Sequence, residues 1–403
     1  MIALALVGCG GMGCRHIRGL RKLLDIGSQT TQLIAVCDPI AANAENAANL
    51  AADLLGHRPQ IFSSVDELLQ ANIGLDAVMI TTSPDMHAEV GIAAFAAGLH
   101  VMVEKPITLT VEEGALLVDA GLRADRMLAV AENYRRDPIN RLAKALVDSE
   151  VLGRIHLVVQ SSAGSGENVI ITPWRHRRRS GGIVVDMGIH YADLVEYFGG
   201  PVETIYGMSS CVDHQRLGAD GIWYEADAED LEVGVMRFSN GAICSLMMNL
   251  AGRGESHFSR MIYGSNGSLS IPLDRTGKAL GVTLRRNGQD IPVPECDLLA
   301  MVPGYRLDDV TSRLFGGDRL TSYSMEFVDI DANLLAIEHA DFAQAIVNHR
   351  QPEVNGHAGL RSLAISNGLM ESELLGKTLS VNDVLTQFNL PYQQGLRVAV
   401  PNG

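Results

Sequence analysis

Residues 2–13 have the sequence IALALVGCGGMG, in which an apolar strand runs into a glycine-rich turn. Every residue of Ile2–Val7 is apolar, as expected of a short parallel strand that is buried on both faces. After Gly13 the apolar residues change to helical spacing, at positions 17, 20, 23 and 24. Strand, G-x-G-x-x-G and helix in this order predict the first βα unit of a dinucleotide-binding fold.

The glycines have separate roles in such a turn. Gly8 allows the chain to turn tightly, Gly10 lets a pyrophosphate approach the backbone, and Gly13 lets the helix lie close to the strand. Backbone N–H groups at the start of that helix face the phosphates. We therefore predict cofactor contacts from the turn residues Gly8, Gly10, Gly11, Met12 and Gly13.

Asp38 ends a second apolar strand, which has the sequence QLIAVC at residues 32–37. A carboxylate at this position accepts hydrogen bonds from both ribose hydroxyls of the adenosine and repels a 2′-phosphate, which favours NAD over NADP. The alternative is an ordinary N-cap aspartate after a buried strand. Because the glycine turn is present as well, we assign Asp38 to a predicted NAD site.

Strands and helices keep alternating as far as residue 131. The predicted strands are 60–62, 75–80, 99–103 and 128–131, and the predicted helices are 41–55, 65–69, 88–97 and 111–123. This alternation predicts an α/β Rossmann domain, a doubly wound parallel sheet, over residues 1–132. Ligands bind beyond the carboxyl ends of such strands, and Thr82, Lys105 and Asn133 lie at those ends.

From residue 133 onward the pattern becomes that of an antiparallel sheet with a few helices. Asn-Gly pairs at 240–241, 266–267 and 287–288 border alternating runs, which is a strong hairpin signal. Helices are predicted at 139–149, 188–198, 334–347 and 359–375. We predict an α+β C-terminal domain, residues 133–403, with a large, mainly antiparallel open sheet. Residues 213–228 and 292–324 fit no pattern and are predicted to be lids, oligomer contacts or insertions.

Composition restricts the classes of protein and partner. The 403 residues carry a formal net charge of −15, which argues against binding to nucleic acid or to an anionic membrane. The six cysteines form no C-x-x-C pair and predict free thiols in a reducing compartment. Because the sequence shows no signal peptide and no apolar run of about 18 residues, we expect a cytoplasmic protein.

Residues 181–193, GGIVVDMGIHYAD, form the second informative stretch. On a helix, Asp186 and His190 share one face. A histidine suits the removal of a proton from an alcohol, and a carboxylate one turn away orients the ring or binds a substrate hydroxyl. One alternative is a capping aspartate with a structural helix histidine. The other is a metal site, for which the sequence supplies no third ligand nearby, so we predict no metal.

Two sets of cations have more than one interpretation. Lys105 precedes a proline at a strand end, where lysine is usually solvated, but beside a cofactor its ammonium group would hydrogen-bond the reacting oxygen. Residues 174–179, WRHRRR, form a basic run in an acidic chain. This run is either a solvated loop or subunit contact, or a site at which Arg175 binds an anionic group such as a carboxylate.

The motifs in their order resemble the glucose-fructose oxidoreductase / inositol dehydrogenase / MocA family. They are Gly8-x-Gly10-x-x-Gly13, Glu104-Lys105-Pro106, and Gly181-Gly182 followed by Asp186-x-Gly188-x-His190, and the resemblance covers nearly the whole chain. It implies catalytic roles for Lys105, Asp186 and His190. The implied cofactor contacts outside the turn are Thr81, Thr82, Ser83, Pro84, His87, Glu104, Lys105 and Asn133. The implied substrate contacts are Lys105, Tyr134, Arg135, Trp174, Arg175, Asp186 and His190.

The resemblance implies an NAD(H)-dependent dehydrogenase. Such an enzyme would transfer a hydride between the nicotinamide and a secondary hydroxyl or ketone of a sugar, cyclitol or related polyol, including acidic ones. Three alternatives stay open: an NAD-dependent glycoside-cleaving enzyme with transient hydride transfer, a dihydrodiol dehydrogenase, and an NAD-binding regulator without catalysis. The second domain would then serve substrate binding and oligomerisation, and the exposed face of an open sheet predicts a homodimer or homotetramer.

Overall fold

The computed structural model describes residues 1–398, and its N-terminal part is built on a six-stranded parallel sheet. The strands are β1 (Ile2–Val7), β2 (Thr31–Cys37), β3 (Gln60–Phe62), β4 (Ala77–Ile80), β5 (His100–Glu104) and β6 (Leu128–Ala131). The helices that follow them are α1 (Gly11–Asp25), α2 (Ala41–Leu55), α3 (Val65–Gln70), α4 (His87–Ala96) and α5 (Val111–Ala124). The strand order β3-β2-β1-β4-β5-β6 confirms the predicted doubly wound Rossmann sheet.

This sheet lies in the core because its strands are apolar on both faces. Every residue of β4 and β6 is buried, and helices cover both sides, as parallel sheets require. Since the strands are parallel, their carboxyl ends lie at one edge of the sheet. The glycine turn, Thr81, Lys105 and Glu132 follow the ends of β1, β4, β5 and β6 at that edge.

The second part of the chain is built on a nine-stranded sheet. Its strands are β7 (Ile155–Ser165), β8 (Val202–Ser210), β11 (Leu231–Phe238), β12 (Ile243–Gly252), β13 (His257–Gly264), β14 (Gly267–Ile271), β15 (Gly281–Arg286), β16 (Gln289–Val293) and β17 (Leu379–Ser380), while β9 (Gln215–Leu217) and β10 (Trp223–Glu225) pair separately. In the order β16-β15-β14-β13-β7-β12-β11-β8-β17, all neighbours are antiparallel except β7 and β12. The mainly antiparallel sheet and the three Asn-Gly hairpins are confirmed.

The helices of this part are α6 (Pro138–Asp148), α7 (Gly182–Gly199), α8 (Leu298–Met301), α9 (Asp309–Phe315), α10 (Phe327–Val347), α11 (Gly356–Leu375), α12 (Val381–Thr386) and α13 (Pro391–Val398). Two of them begin six or more residues earlier than predicted, α7 and α10, the latter at Phe327 rather than at residue 334. Helix α7 starts at Gly182 rather than at the predicted residue 188, because Gly181 takes up a left-handed conformation with φ +90° just before it. Asp186 and His190 therefore lie one turn apart on the same helix.

The two stretches that fitted no pattern are structured. Residues 213–228 contain β9 and β10, and residues 292–324 contain α8 and α9. Helix α9 and the following α10 pack on the N-terminal sheet, where Leu314 and Leu334 share a core with Leu20 of α1. A Cβ on Gly19 would lie 2.9 Å from the Cβ of Leu335, so α10 lies very close to α1. Helices α9 and α10, which are distant in sequence from the Rossmann strands, thus cover one face of the Rossmann sheet.

Two features are absent from residues 1–398. No helix in that range is long and apolar enough to cross a membrane. The same residues hold no group of three or more His, Cys, Asp or Glu side chains arranged to bind a metal ion.

Candidate active site

The turn between β1 and α1 requires glycine at two positions for internal reasons. Gly8 has φ +93°, and a Cβ on it would lie 2.7 Å from the backbone nitrogen of Thr82. A Cβ on Gly13 would lie 2.3 Å from the carbonyl oxygen of Gly8. By contrast, a Cβ on Gly10 or Gly11 would meet nothing within 4 Å. The turn is closely packed on the protein side and open over Gly10 and Gly11, which fits a pyrophosphate lying on the backbone.

Asp38 is held at the edge of the same turn. Its Oδ2 accepts a hydrogen bond from the Cys9 N–H at 2.7 Å, and its Oδ1 accepts one from the Ile40 N–H at 2.8 Å. These bonds fix the carboxylate, and Oδ2 keeps a lone pair for a ribose hydroxyl. The residues present therefore fit NAD.

Two further predicted cofactor contacts lie beside the turn. The segment Thr81–Pro84 follows β4, and the Thr81 hydroxyl donates to the carbonyl oxygen of Gly8. Met12 is partly exposed in the first turn of α1. The structure thus places both with the glycines, and their contacts to the cofactor stay predictions.

His87 is placed differently from a ligand-binding residue. It is completely buried, with Nδ1 2.9 Å from the carbonyl oxygen of Pro106 and Nε2 3.2 Å from that of Thr82. Burial lowers the pKa of His87, so the imidazole is neutral at pH 7 and its single N–H donates to one of these two carbonyl oxygens. In this arrangement His87 joins the loops that follow β4 and β5, and neither ring nitrogen is free to bind a cofactor.

Glu104 also acts inside the protein. Its Oε1 lies 2.9 Å from Nε2 of His16, and its Oε2 accepts a hydrogen bond from the backbone N–H of Lys105 at 3.0 Å. Burial raises the pKa of Glu104, but His16 and Lys105 lower it by more, so the net shift is downward. An ionised Glu104 therefore fixes the backbone from which the Lys105 side chain extends.

Lys105, Asp186 and Arg175 form one ionic cluster between the two parts of the chain. Nζ of Lys105 donates to the backbone carbonyl of Asp186 at 2.9 Å and to its Oδ1 at 3.0 Å. Nε of Arg175 donates to Oδ2 at 3.2 Å. Burial raises the pKa of Asp186, but the two cations lower it below its usual value. An ionised carboxylate thus lies between two cations, which leaves the cluster with one excess positive charge.

His190 is paired with a carboxylate that we did not predict. Its Nδ1 lies 2.7 Å from Oε2 and 2.8 Å from Oε1 of Glu132. The ring of Tyr134 stacks on the imidazole, with centroids 3.9 Å apart and planes within 3°. Nε2 of His190 has no hydrogen-bond partner among residues 1–398 and is left to exchange a proton with a ligand.

Asn133 and Arg135, which flank Tyr134, differ in what they offer a ligand. Oδ1 of Asn133 is buried without a hydrogen-bond partner within the described range, as expected of an acceptor that a bound molecule would satisfy. The guanidinium of Arg135, by contrast, forms a buried pair with Asp193, its Nε lying 2.7 Å from Oδ2. Arg135 is therefore engaged with α7 and not with the Lys105 cluster.

Comparison with known proteins identifies the family. Residues 2–132 match the GFO_IDH_MocA oxidoreductase family with an NAD-binding Rossmann fold, and residues 140–270 match the GFO/IDH/MocA C-terminal domain. The chain belongs to the GFO/IDH/MocA oxidoreductase family. Membership confirms the predicted family, the class of NAD-dependent oxidoreductases and NAD as the cofactor.

Two relatives of the chain are named for sugar substrates. The chain is 27% identical over 221 residues to levoglucosan dehydrogenase from Pseudarthrobacter phenanthrenivorans, a match that covers 50% of this chain and only 56% of that protein. It is 27% identical over 366 residues to UDP-N-acetylglucosamine 3-dehydrogenase from Acidithiobacillus ferrooxidans, covering 89% and 93% of the two chains. An NAD-binding oxidoreductase from Klebsiella pneumoniae has the same fold, with a TM-score of 0.77 at 21% identity over 94% of this chain and 99% of that one.

Glu132 is the site residue that sequence reasoning missed. It directly follows β6, at the sheet edge that also holds Lys105. The rule that selected Thr82, Lys105 and Asn133, namely that ligands bind at the carboxyl ends of parallel strands, selects Glu132 as well. The position of Glu132 at the end of β6 is thus the sequence signal that marks it as a site residue.

Proposed function

We propose that this protein is an NAD(H)-dependent dehydrogenase that acts on a secondary hydroxyl or ketone of a sugar, cyclitol or related polyol. The observation that carries the proposal is the contact of Lys105, at the end of β5, with Asp186 on α7 at 3.0 Å. This contact joins the NAD-binding sheet to the helix that bears His190. An ammonium group, a carboxylate and an imidazole are therefore brought near one another, where together they would bind and deprotonate an alcohol.

The cofactor would be held by the turn at Gly8, Gly10 and Gly13, with Asp38 on the adenosine ribose and Asn133 near the other end. When bound, NAD⁺ supplies the hydride acceptor for the oxidation of the carbinol carbon. Glu104 contributes indirectly by fixing Lys105. The space over Gly10 and the buried, unpartnered Oδ1 of Asn133 support this placement.

The protein's own groups would handle the proton and the developing charge. Nε2 of His190 accepts the hydroxyl proton, while Nδ1–H stays hydrogen-bonded to Glu132, whose carboxylate stabilises the imidazolium. Nζ of Lys105 donates a hydrogen bond to the reacting oxygen and stabilises the alkoxide. Asp186 binds a neighbouring hydroxyl. In the direction of ketone reduction the same groups act in reverse.

Substrate contacts would come from the second part of the chain. We place the domain boundary at 132/133, so that residues 133–403 bind the substrate through Trp174, Arg175 and Tyr134. Arg175 both neutralises Asp186 and offers its remaining N–H groups to an acidic substrate. The sugar substrates named for relatives of this chain support the substrate class.

Assembly and location complete the proposal. The outer face of β8 and β11 exposes Tyr206, Met208, Val233 and Val235, an apolar patch that a second copy would cover in a homodimer or homotetramer. Light scattering of the eluting protein tests this. The six cysteines are free thiols, which supports the expected cytoplasmic location.

The decisive experiment offers purified protein and NAD⁺ a panel of sugars, inositols, uronic acids and aryl glycosides, and follows NADH and product together. We expect NADH and ketone in equal amounts for at least one polyol. Glycoside cleavage without net NADH would replace this proposal by the glycoside-cleaving alternative. NADH binding without turnover of any compound would favour a regulator.

A further inference from the structure

An open pocket lies next to Trp174, whose ring contacts the guanidinium of Arg175. It has a volume of about 430 Å³, which is within the range of small-molecule sites. One wall is the turn that follows residue 172, and the other is strand β10. The lining residues are Pro173, Trp174, Arg177, Arg179, Trp223, Tyr224 and Glu225.

The side chain of Arg175 links Trp174, which lines the pocket, to the proposed catalytic cluster. The guanidinium carbon of Arg175 lies 4.3 Å from the centre of the Trp174 ring, and Nε of Arg175 donates to Asp186 at 3.2 Å. Asp186 in turn accepts from Lys105. A substrate that is bound at Asp186 and is long enough to pass Arg175 would reach Trp174.

Backbone hydrogen bonds hold the two walls together. The N–H of Leu217 donates to the carbonyl of Glu167 at 2.7 Å, and the N–H of Val169 donates to the carbonyl of Leu217 at 2.9 Å. The guanidinium of Arg216 is fully buried and bonded to Asp230 and to backbone carbonyls. Strand β9, and β10 paired with it, are thus fixed to residues 166–169, which lead into the turn at Trp174.

The lining combines aromatic faces with an uncompensated cation. Trp174 is 37% exposed and Trp223 is 52% exposed, which is unusual for tryptophan and leaves ring surface for stacking. Arg177 is neutralised by Glu225 at 3.0 Å and Asp227 at 3.2 Å. Arg179 is exposed and has no acidic partner among residues 1–398. In a chain of net charge −15, a lone guanidinium beside two indoles favours an aromatic ligand with negative charge.

We propose that this pocket is a subsite for the part of the substrate remote from the reacting hydroxyl, and that this part is a planar aromatic group adjoining negative charge. A nucleoside diphosphate attached to a sugar has this chemistry, and so does a carboxylated aryl glycoside. The proposal rests on the proposed function, because it takes the sugar to be bound at Asp186. It assigns the aromatic group to Trp174 and Trp223 and the negative charge to Arg179.

The test uses the fact that the chain contains only two tryptophans, both of which line the pocket. Intrinsic fluorescence excited at the indole edge therefore reports this pocket alone. The full-length protein, without NAD, is titrated with UDP-glucose, UDP, 4-carboxyphenyl glucoside, phenyl glucoside and glucose. We expect the charged aromatic compounds to change the fluorescence with a Kd at least about tenfold lower than that of phenyl glucoside, a factor typical of one charged hydrogen-bonded contact. UDP-glucose carries a diphosphate and 4-carboxyphenyl glucoside carries a carboxylate. The tighter of the two therefore shows whether the pocket prefers a nucleoside diphosphate or a carboxylated aryl group.

Arg179→Ala should weaken binding of the charged compounds about tenfold and leave phenyl glucoside within a factor of two. Arg286→Ala removes an exposed arginine on β15 and is the matched control, for which no change is expected. Equal affinities of charged and neutral aryl compounds, or an Arg179→Ala variant that binds like the parent, would overturn the proposal. The proposal would also be overturned if Trp223→Leu eluted from size exclusion as a smaller assembly than the parent, because the pocket surface would then be a subunit contact. Because fluorescence needs no turnover, a failed subsite is distinguishable from a failed dehydrogenase.

Discussion

Nδ1 of His190 lies 2.7 Å from Oε2 of Glu132, so a helix of the second part is paired with the residue that ends the last strand of the Rossmann sheet. Burial raises the pKa of Glu132, but His190 lowers it by more, and the carboxylate is therefore ionised. A carboxylate on Nδ1 fixes the tautomer in which Nε2 is the basic nitrogen. In this arrangement Glu132 positions the proposed base and does not itself touch the substrate.

Glu132→Gln tests this positioning role. The amide still accepts from Nδ1–H but carries no charge, so we expect kcat to fall about 10- to 100-fold. Loss of the charge also makes His190 a weaker base, so the acid limb of the kcat/KM profile should move to lower pH. Stopped assays from pH 5 to 9 measure both effects. Glu203→Gln, on the exposed side of β8, is the control. An unshifted pH profile with normal kcat would exclude the role.

The proposed catalytic cations and bases make a second prediction. Lys105→Ala and His190→Ala should each lower turnover by about 100-fold or more, because each removes a group that acts on the reacting oxygen or its proton. The Kd of NADH, measured by fluorescence, should stay within a few-fold of the parent value. Lys278→Ala removes an exposed lysine as a control. If His190→Ala turned over like the parent, the assignment of the base would be wrong.

What could be predicted from sequence depended on how local the signal is. The glycine turn and Asp38 follow directly from residues adjacent in the chain, and the structure places them together. The pairing of Lys105 with Asp186 joins residues 81 positions apart, and the pairing of Glu132 with His190 joins residues 58 apart. No periodicity encodes such contacts. The family resemblance implied that Lys105 and Asp186 belong to one site, whereas the pairing of Glu132 with His190 is seen only in the structure.

Short elements were missed for a different reason. Strands β9 and β10 have three residues each, and Gly218 and Gly221 lie between them, so no alternating run is long enough to recognise. Arg216, which would mark an exposed strand in a sequence, is fully buried against Asp230. Its burial is decided by tertiary packing alone. The pocket beside Trp174 could therefore not be predicted from the pattern of residues.

A third prediction follows from the difference between Gly8, which is packed against Thr82, and Gly10, which has free space beside it. Gly8→Ala forces a Cβ to 2.7 Å from the Thr82 nitrogen and a strained φ, so it should lower both Tm and NADH affinity. Gly10→Ala meets no protein atom within 4 Å, so it should leave Tm nearly unchanged while weakening NADH binding about tenfold or more. Differential scanning fluorimetry and NADH titration separate the two. Normal NADH affinity in Gly10→Ala would show that the pyrophosphate lies elsewhere.

Asp38 should determine the choice of cofactor. Asp38→Ser removes the charge that repels a 2′-phosphate and keeps a small hydrogen-bonding side chain. We expect the ratio of kcat/KM for NAD⁺ to that for NADP⁺ to fall about 10-fold or more. Asp53→Ser on α2 serves as the control for loss of an acidic residue in the same domain. A ratio that is unchanged in Asp38→Ser would remove Asp38 from the ribose site.

Glu232 should make stability depend on pH. Its side chain is buried on β11 under α7, its Oε1 has no hydrogen-bond partner within the described range, and burial with Glu229 nearby raises its pKa to about 8. The unfolded chain releases this proton near the ordinary value of 4.5, whereas the folded protein keeps it to about 8. Between these values the folded state binds more protons, so stability falls as pH rises, and the loss is complete above about 8.

Glu232→Gln removes this titration while preserving the shape of the side chain. Relative to the parent, the variant should therefore gain stability between pH 5 and pH 8, by about 2 kcal/mol or more, since each pKa unit corresponds to about 1.4 kcal/mol. Urea unfolding at both pH values measures the difference. Other buried carboxyl groups titrate in both proteins and cancel in the comparison. The control is Glu203→Gln, exposed on the neighbouring strand β8, whose free energy of unfolding should follow that of the parent at both pH values. If the free energy of unfolding of Glu232→Gln changed with pH as the parent's does, Glu232 would be ionised in the folded state.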